Sequence, residues 1–150
     1  MKIGIGNDHS ALELKAEIIE LLKERGHEVV DYGTNSPESC DYPVYGEKVG
    51  RAVASGEVER GILICGTGIG VSIAANKVPG AYAALVSDVY SAQRARLSND
   101  ANIMCMGAFT TGNKERELFV DAFLTNEFVP GCASQPKVDA FHKYDEEHSK

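Results

Sequence analysis

The stretch ILICGTGIGVSIAANK, residues 62 to 77, joins an apolar run to a glycine-rich turn and then to a segment compatible with a helix. The run GILICG at residues 61–66 is typical of a strand that is covered on both faces of a sheet. Three glycines then follow at every second position, where they allow a tight turn and a close approach of backbone amides to a ligand. A strand, a turn and a helix in this order predict one βαβ unit.

Strand-like and helix-like segments alternate on both sides of this unit. We predict strands at residues 2–6, 27–33, 61–66, 81–87 and 101–107. We predict helices at residues 10–26, 44–57, from the glycine turn to about 76, 88–98 and 111–127, followed by a polar tail from about residue 134 that ends as a helix. This alternation predicts a single α/β domain over residues 1–150, with a five-stranded parallel sheet covered by helices on both faces.

Local signals mark the ends of two predicted helices. Ser10 and Glu13 fit a capping box at the start of the first helix, and Gly26 fits its C-terminal stop. Thr111 fits the N-terminal cap of the helix at 111–127.

Composition and charge narrow the classes of function. The 150 residues include 22 acidic and 15 basic side chains, and the formal charge of −7 argues against binding nucleic acid or an anionic membrane surface. No apolar run approaches the ~20 residues of a membrane span, and MKIGIGNDHS does not fit a signal peptide. We therefore expect a cytoplasmic protein. The four cysteines form no CxxC pair, so we expect reduced thiols and no metal site.

The polar groups at the turns are the candidates for a functional site. Ligands of parallel α/β sheets bind at the carboxyl ends of the strands, which here are the turns after residues 6, 33, 64, 87 and 106. We assign to this edge the polar groups Asn7-Asp8-His9, Asp41-Tyr42, Cys65-Gly66-Thr67 and Asn99-Asp100.

Cys65, at the mouth of the glycine turn, has two interpretations. A free cysteine at a strand end is often a small buried hydrophobe, whereas a thiolate stabilised by a helix N-terminus acts as a nucleophile or general base. The turn GTGIG lacks the G-x-G-x-x-G pattern of dinucleotide sites and the Gly-Lys-Ser/Thr of a P-loop. It is therefore either an anion-binding turn or simply a tight turn packed against a neighbour.

Two further features can be interpreted from the residues alone, and the first of them stays open. Asp8 and His9 fit a metal pair, an orienting pair or a solvated turn. Their spacing alone favours the solvated turn, and the edge that they share with Cys65 adds weight to a functional role. Cys105 lies inside an apolar strand, and we expect it in the core.

Five stretches together carry a family resemblance: KIGIGNDHS, EVVDYGT, DYPVYGEKV, YSAQRARLSNDANI and, most specifically, GILICGTGIGVSIAANKVPG. From Met1 to about Phe128 the chain resembles the type B ribose-5-phosphate isomerases and the related galactose-6-phosphate isomerase subunits. The resemblance implies a Rossmann-like three-layer sandwich and aldose–ketose isomerisation through a cis-enediolate. It also implies that no cofactor or metal is used, and that a homodimer or homotetramer shares active sites between subunits.

The same resemblance implies roles for individual residues. Cys65 is the general base, and the Thr67 hydroxyl assists the thiol or the substrate. The amides of residues 66 to 70, including Gly66, Gly68 and Gly70, form the anion hole. The other residues that match substrate-contacting positions are Asp8, His9 (near the phosphate), Tyr42 and Asn99.

Departures from the family pattern at four positions concern the substrate. Ser98 stands where the ribose-phosphate enzymes have a ring-opening histidine. Positions where the family has phosphate-binding arginines carry Phe109, Cys132 and Lys137 here, and the available substitutes are Lys137, Arg94, Arg96 and His9. We therefore expect ribose 5-phosphate to be a poor substrate and consider a four-carbon ketose phosphate, which needs no ring opening. The alternatives are a non-catalytic sugar-phosphate-binding subunit or sensor and, less favoured, a flavodoxin-like nucleotide-binding module.

Overall fold

The computed structural model describes residues 1–148, in which five strands form one sheet. The strands are β1 (Lys2–Asn7), β2 (Glu28–Asp31), β3 (Arg60–Cys65), β4 (Ala83–Leu85) and β5 (Ile103–Gly107). Every neighbouring pair is parallel, and the strand order is β2-β1-β3-β5-β4. The predicted five-stranded parallel sheet is therefore confirmed.

Six α-helices accompany these strands within residues 1–148. They are α1 (Leu12–Glu24), α2 (Tyr42–Ala54), α3 (Ile69–Asn76), α4 (Val89–Leu97), α5 (Asn113–Thr125) and α6 (Gln135–His148). A short 3₁₀ turn at His9–Ala11 precedes α1. The helix predicted for the polar tail is present as α6. None of these helices is long and apolar enough to cross a membrane.

The strand residues alternate between two cores, one on each face of the sheet. Ile62 and Ile64 of β3 pack in a core with residues of α1, α4 and α5. Leu63 and Cys65 pack in the opposite core with residues of α2 and α3. Both faces are covered, as the apolar run of β3 indicated, and the fold is Rossmann-like.

The predicted capping box at the start of α1 is wrong. The Oδ1 atom of Asp8 accepts hydrogen bonds from the Ser10 amide at 3.0 Å and from the Ser10 hydroxyl at 2.5 Å. Because Asp8 caps a 3₁₀ turn, α1 begins only at Leu12, without a side-chain cap. The predicted stop at Gly26 is confirmed by its left-handed φ of 83°.

Two other helix starts differ from the prediction. Gly112, and not Thr111, caps α5, and the Glu115 carboxylate accepts a hydrogen bond from the Gly112 amide at 3.0 Å. Thr111 is buried. Helix α2 begins two residues earlier than predicted because Pro43 is accommodated in its first turn, where a missing amide hydrogen costs nothing.

The turn at residues 98–100 lies at the opposite edge of the sheet from the one predicted. It leads from the end of α4 into β5, so it stands at the amino end of that strand. Assigning Asn99 and Asp100 to the carboxyl edge was therefore wrong. With five or six residues in β5 and β3 and about 3.3 Å per residue, the two edges are roughly 15–20 Å apart.

Helix α6 packs at this same amino edge, against the turn that enters β4. The Asp145 carboxylate accepts hydrogen bonds from the Gly80 amide at 2.9 Å and from the Tyr82 hydroxyl. Burial and the bond to Asp145 raise the pKa of Tyr82 above its usual range. The tail is thus attached at the edge that is opposite the glycine turn.

Candidate active site

A cleft of about 560 Å³ opens at the carboxyl edge, above the neighbouring strands β1 and β3. The chain leaves β1 for β2 on one side, while β3 lies on the other, so the cleft is at a topological switch point of the sheet. Its lining residues are Asp8, His9, Ser10, Tyr42, Cys65, Gly66, Thr67, Ile69, Gly70, Ile73 and Phe109. The fold thus brings together seven of the residues predicted for the site: Asp8, His9, Tyr42, Cys65, Gly66, Thr67 and Gly70.

Cys65 is the last residue of β3, and its side chain is held at the start of α3. The residue is 5% exposed, and its Sγ accepts a hydrogen bond from the Gly68 amide at 3.1 Å. The positive end of the α3 dipole lies on the same side. A backbone donor and the N-terminal end of a helix therefore both lie beside the sulfur.

Gly68 is required by conformation and by space. Its φ is 79°, and it is the one glycine of the turn with a left-handed conformation. A Cβ there would lie 2.7 Å from the Leu85 side chain and 2.8 Å from the Met106 carbonyl carbon. A side chain at this position would consequently displace the amide that donates to Cys65.

Gly66 and Gly70 serve close packing rather than positive φ. A Cβ on Gly66 would lie 3.0 Å from the Phe109 ring, and one on Gly70 would lie 2.3 Å from the Tyr42 ring. The two aromatic rings thus form walls of the cleft directly on glycine backbone. The Gly70 amide, in the first turn of α3, makes no hydrogen bond to any residue between 1 and 148. Because glycine has no side chain, no Cβ of Gly70 shields this amide.

Thr67 is exposed at the rim, between the two glycines. Its Oγ1 accepts a hydrogen bond from the Ile69 amide at 3.3 Å. The oxygen is thereby oriented, and the hydroxyl hydrogen is left to donate to another group.

His9 is oriented by the backbone of the loop after β2. Its Nδ1 accepts a hydrogen bond from the Cys40 amide at 3.3 Å and lies 3.7 Å from the Cys40 Sγ. A neutral imidazole that accepts at Nδ1 carries its hydrogen on Nε2. His9 thus has a donor available at its other nitrogen.

Asp8 is a capping residue of the 3₁₀ turn, as its two bonds to Ser10 show, and it is only 6% exposed. Within residues 1–148 no group of three or more His, Cys, Asp or Glu side chains is arranged to hold a metal ion. Of the three interpretations of Asp8-His9, the geometry favours the orienting pair, because Asp8 fixes the turn that presents His9.

Lys15 of α1 fixes the loop that carries Cys40 and leads into α2, which begins at Tyr42. Its buried ammonium donates to the Thr34 carbonyl at 2.7 Å and to the Asn35 side chain at 2.6 Å. It also pairs with Asp31 at 3.0 Å. Nothing in the sequence distinguishes this lysine from an exposed one, except its place one residue after the buried Leu14.

Phe109 reaches the cleft because the loop after β5 bonds back to the glycine turn. The Ala108 amide donates to the Cys65 carbonyl at 2.8 Å, and the Phe109 amide donates to the Gly66 carbonyl at 3.0 Å. The Phe109 side chain is 76% exposed on the wall it forms.

Three predicted site residues, Ser98, Asn99 and Lys137, lie outside this cleft. Ser98 accepts a hydrogen bond from Arg94 at 2.7 Å, and Asn99 is exposed beside a different cavity at the amino edge. Lys137 is exposed in the first turn of α6. The proposed substitutes Arg94 and Arg96 belong to α4, and the buried Arg96 pairs with Asp100 and Glu127.

Cys105 lies in the core as predicted, with no exposed surface. Burial, and to a smaller extent the neighbouring Cys65 thiol, raise the pKa of Cys105 far above its ordinary value. Of the two cysteines at the centre of the sheet, Cys65 alone reaches the cleft.

Residues 3–141 match the family model described as Ribose/Galactose Isomerase. The chain is 48% identical to ribose-5-phosphate isomerase B of Escherichia coli K12 over 139 residues, and this aligned stretch covers 93% of each chain. It is 40% identical over 151 residues to D-erythrulose-4-phosphate isomerase of Pectobacterium atrosepticum, covering 99% of each. The structure of Clostridium thermocellum ribose-5-phosphate isomerase B superimposes with a TM-score of 0.95, at 48% identity and 99% coverage of both chains.

Proposed function

The chain belongs to the ribose/galactose isomerase family of sugar-phosphate aldose–ketose isomerases, and we propose that Cys65 is the general base of its reaction. One observation carries the proposal: the Cys65 sulfur lies at a helix start, within the cleft, and accepts a hydrogen bond from the Gly68 amide. A subunit or sensor that only binds sugars has no need of a base held in this way. The intact group Cys65-Gly66-Thr67 therefore favours catalysis at this cleft.

The reaction moves one proton between adjacent carbons. The Cys65 thiolate takes the proton from C2 of the aldose, and the electron pair shifts to make the cis-enediolate, with negative charge on the former carbonyl oxygen. The thiol then returns the proton to C1, while the hydroxyl proton on the C2 oxygen passes to the C1 oxygen, so that C2 becomes the ketone and C1 carries a hydroxyl group. The thiolate is regenerated, so no oxidant, reductant or metal is consumed.

The surrounding donors suit the charge that develops. Residues at the start of α3 line the cleft, and the Gly70 amide, which has no partner among residues 1–148, is available to the enediolate oxygen. The Thr67 hydroxyl has a free hydrogen to donate to the substrate or to the thiolate. The Nε2 hydrogen of His9 provides a further donor from the other side, and Asp8 and Tyr42 complete the walls.

For the substrate, we favour a four-carbon ketose phosphate such as an erythrulose phosphate over ribose 5-phosphate. Its terminal oxygen carries the phosphate and cannot close a furanose, so no ring-opening acid is needed. Ser98 stands where the resembling enzymes use a histidine, and a serine hydroxyl is a far weaker proton shuttle near pH 7. The likeness to D-erythrulose-4-phosphate isomerase of Pectobacterium atrosepticum is compatible with this choice.

We also propose that two copies of the chain share their sites. Asn99 stands at the amino edge, about 15–20 Å from the Cys65 edge of the same chain, so a role in catalysis requires the cleft of a second copy. Part of the cleft lining itself is apolar and exposed, with Ile69 50% and Ile73 56% exposed. A homodimer or homotetramer would cover this surface. A cytoplasmic location, too, stays a prediction.

A substrate panel tests the proposed function. Four- to six-carbon aldoses and ketoses, each as the free sugar and as its phosphate ester, are assayed for isomerisation in ordinary and heavy water. We expect turnover of a four-carbon ketose phosphate, deuterium incorporation at the reacting carbon and poor turnover of ribose 5-phosphate. A kcat/KM for ribose 5-phosphate above about 10⁴ M⁻¹s⁻¹ would refute the substrate choice. Absence of isomerisation throughout the panel would refute the function itself.

A further inference from the structure

The Cys65 cleft contains no lysine or arginine among its lining residues. Its ionisable side chains are the carboxylate of Asp8, the imidazole of His9, the phenol of Tyr42 and the thiol of Cys65. The substrate of a sugar-phosphate isomerase carries a phosphate dianion, which is bound in proteins by charged donors, most effectively by a planar guanidinium. Such a group has to be sought beyond the immediate surroundings of the thiol.

A second cleft, of about 360 Å³, adjoins the first. The two share His9, Ser10 and Phe109, so a substrate bound at Cys65 can extend from the first cleft into the second. The second cleft continues between α1 and α5, where its further lining residues are Leu12, Glu13, Leu14, Glu17, Ala108 and Arg116. Arg116 is the one lysine or arginine that lines either cleft within residues 1–148.

The Arg116 side chain is held in place but is not saturated with hydrogen bonds. It is 15% exposed, and its Nη1 donates to the Glu17 carboxylate at 2.5 Å. Its Nε is buried and has no partner among residues 1–148. Glu17, by contrast, is 57% exposed, so this carboxylate can leave the guanidinium for water at little cost.

We propose that Arg116 binds the phosphate of the substrate in the cleft between α1 and α5, and that Glu17 occupies the guanidinium when no phosphate is bound. The reacting carbons then lie at Cys65, and the chain of the sugar passes His9 and Phe109 to reach Arg116. This assignment rests on the proposed isomerase function and deepens it. Arg116, rather than Lys137, Arg94 or Arg96, supplies the positive charge from the same chain.

The test compares three variants that each remove one charged group between α1 and α5. Arg116→Gln should raise the KM for the phosphorylated substrate, and the inhibition constant of inorganic phosphate, by about 10–100-fold, with a smaller change in kcat. Arg25→Gln is the matched control, because Arg25 also links α1 to α5, through Glu117 and Asp121, but lies outside both clefts. We expect Arg25→Gln to leave both constants unchanged.

Glu17→Gln separates phosphate binding from a structural ion pair. It breaks the same pair as Arg116→Gln but frees the guanidinium, so inorganic phosphate should inhibit at equal or lower concentration. If Glu17→Gln and Arg116→Gln weaken phosphate binding alike, the pair is structural and the proposal is overturned. Unchanged constants in Arg116→Gln would also overturn it, and the isomerase function would stand.

Direct calorimetric titration with inorganic phosphate makes the result independent of turnover. Binding that is present in the unsubstituted protein and lost in Arg116→Gln supports the phosphate site even where no sugar of the panel is isomerised. In that case the proposed function fails while the site remains. Arg116→Lys, which keeps the charge but not the planar fork, should lose less affinity than Arg116→Gln.

Discussion

At the scale of single residues, the proposed chemistry depends on one sulfur and the amide that donates to it. The residues alone made Cys65 and the glycines around it candidates, with a buried hydrophobe and a tight turn as alternatives, and the family resemblance assigned the thiol as the base. Cys40 was not recognisable as a partner of His9. Lys15 was not recognisable as the side chain that anchors the loop that carries Cys40. Those contacts depend on where a polar loop folds back, which no periodicity in the chain encodes.

Cys65→Ala should lower kcat by about 10²–10⁴-fold, the usual contribution of a general base. Substrate affinity and the melting temperature should change little, because the side chain is small and sits at the end of its strand. Cys132→Ala is the matched control, since Cys132 is a half-exposed free thiol outside the cleft. Activity of Cys65→Ala within a fewfold of the unsubstituted protein would exclude Cys65 as the base.

Cys105 should be inert towards iodoacetamide in the folded protein at pH 8. Burial raises its pKa, so almost no thiolate is present, and the side chain has no exposed surface. Mass spectrometry of peptides should show Cys105 unmodified before unfolding and alkylated after it, whereas the half-exposed Cys40 should react in both states. Alkylation of Cys105 in the native protein, at a rate comparable to that of Cys40, would contradict its place in the core.

At the scale of elements, the strands and helices were predictable, but their neighbours were not. The sequence pattern located all five strands and the first five helices to within a few residues, and for the sixth it predicted only that the polar tail from about residue 134 ends as a helix. It contains no information that places β5 between β3 and β4, because that order depends on which crossovers pack. The error over Asn99 and Asp100 has the same origin: a turn that follows a helix and one that follows a strand have similar polar residues, yet they stand at opposite edges of the sheet.

Gly68→Ala should impair both the stability of the α3 start and the activity. A left-handed alanine costs about 1–2 kcal/mol, and here its Cβ would also meet the Met106 backbone. Gly56→Ala is the matched control, because Gly56 has the same φ of 79° but nothing within 4 Å of the added Cβ. Chemical denaturation should show a loss of about 1–2 kcal/mol for Gly56→Ala at full activity, and a larger loss with reduced kcat for Gly68→Ala. Equal losses and full activity in both variants would mean that the crowding around Gly68 is unimportant.

At the scale of the whole molecule, the two edges of the sheet carry different parts of the predicted site. The carboxyl edge carries Cys65, His9 and the clefts that lead to Arg116, and the amino edge carries Ser98 and Asn99. The resemblance to the isomerase family assigned Cys65, His9 and Asn99 to one site, with Ser98 in the place of its ring-opening histidine, and one chain cannot bring these residues together. The proposed exchange of residues between copies follows from this separation.

Subunit complementation tests that exchange. In an isologous dimer with shared sites, Cys65→Ala and Asn99→Ala chains can pair so that one site holds both substitutions and the other holds none. Random pairing of equal amounts should therefore restore about a quarter of the unsubstituted activity. Mixing Cys65→Ala with Thr67→Ala is the control, because both substitutions lie at the same edge of a chain and every site of the mixed dimer keeps one of them. Recovery in the first mixture and not in the second requires that Asn99 act in the neighbour's cleft. If Asn99→Ala alone is inactive and its mixture with Cys65→Ala gains nothing, Asn99 acts in its own chain or through folding, and the shared site is excluded.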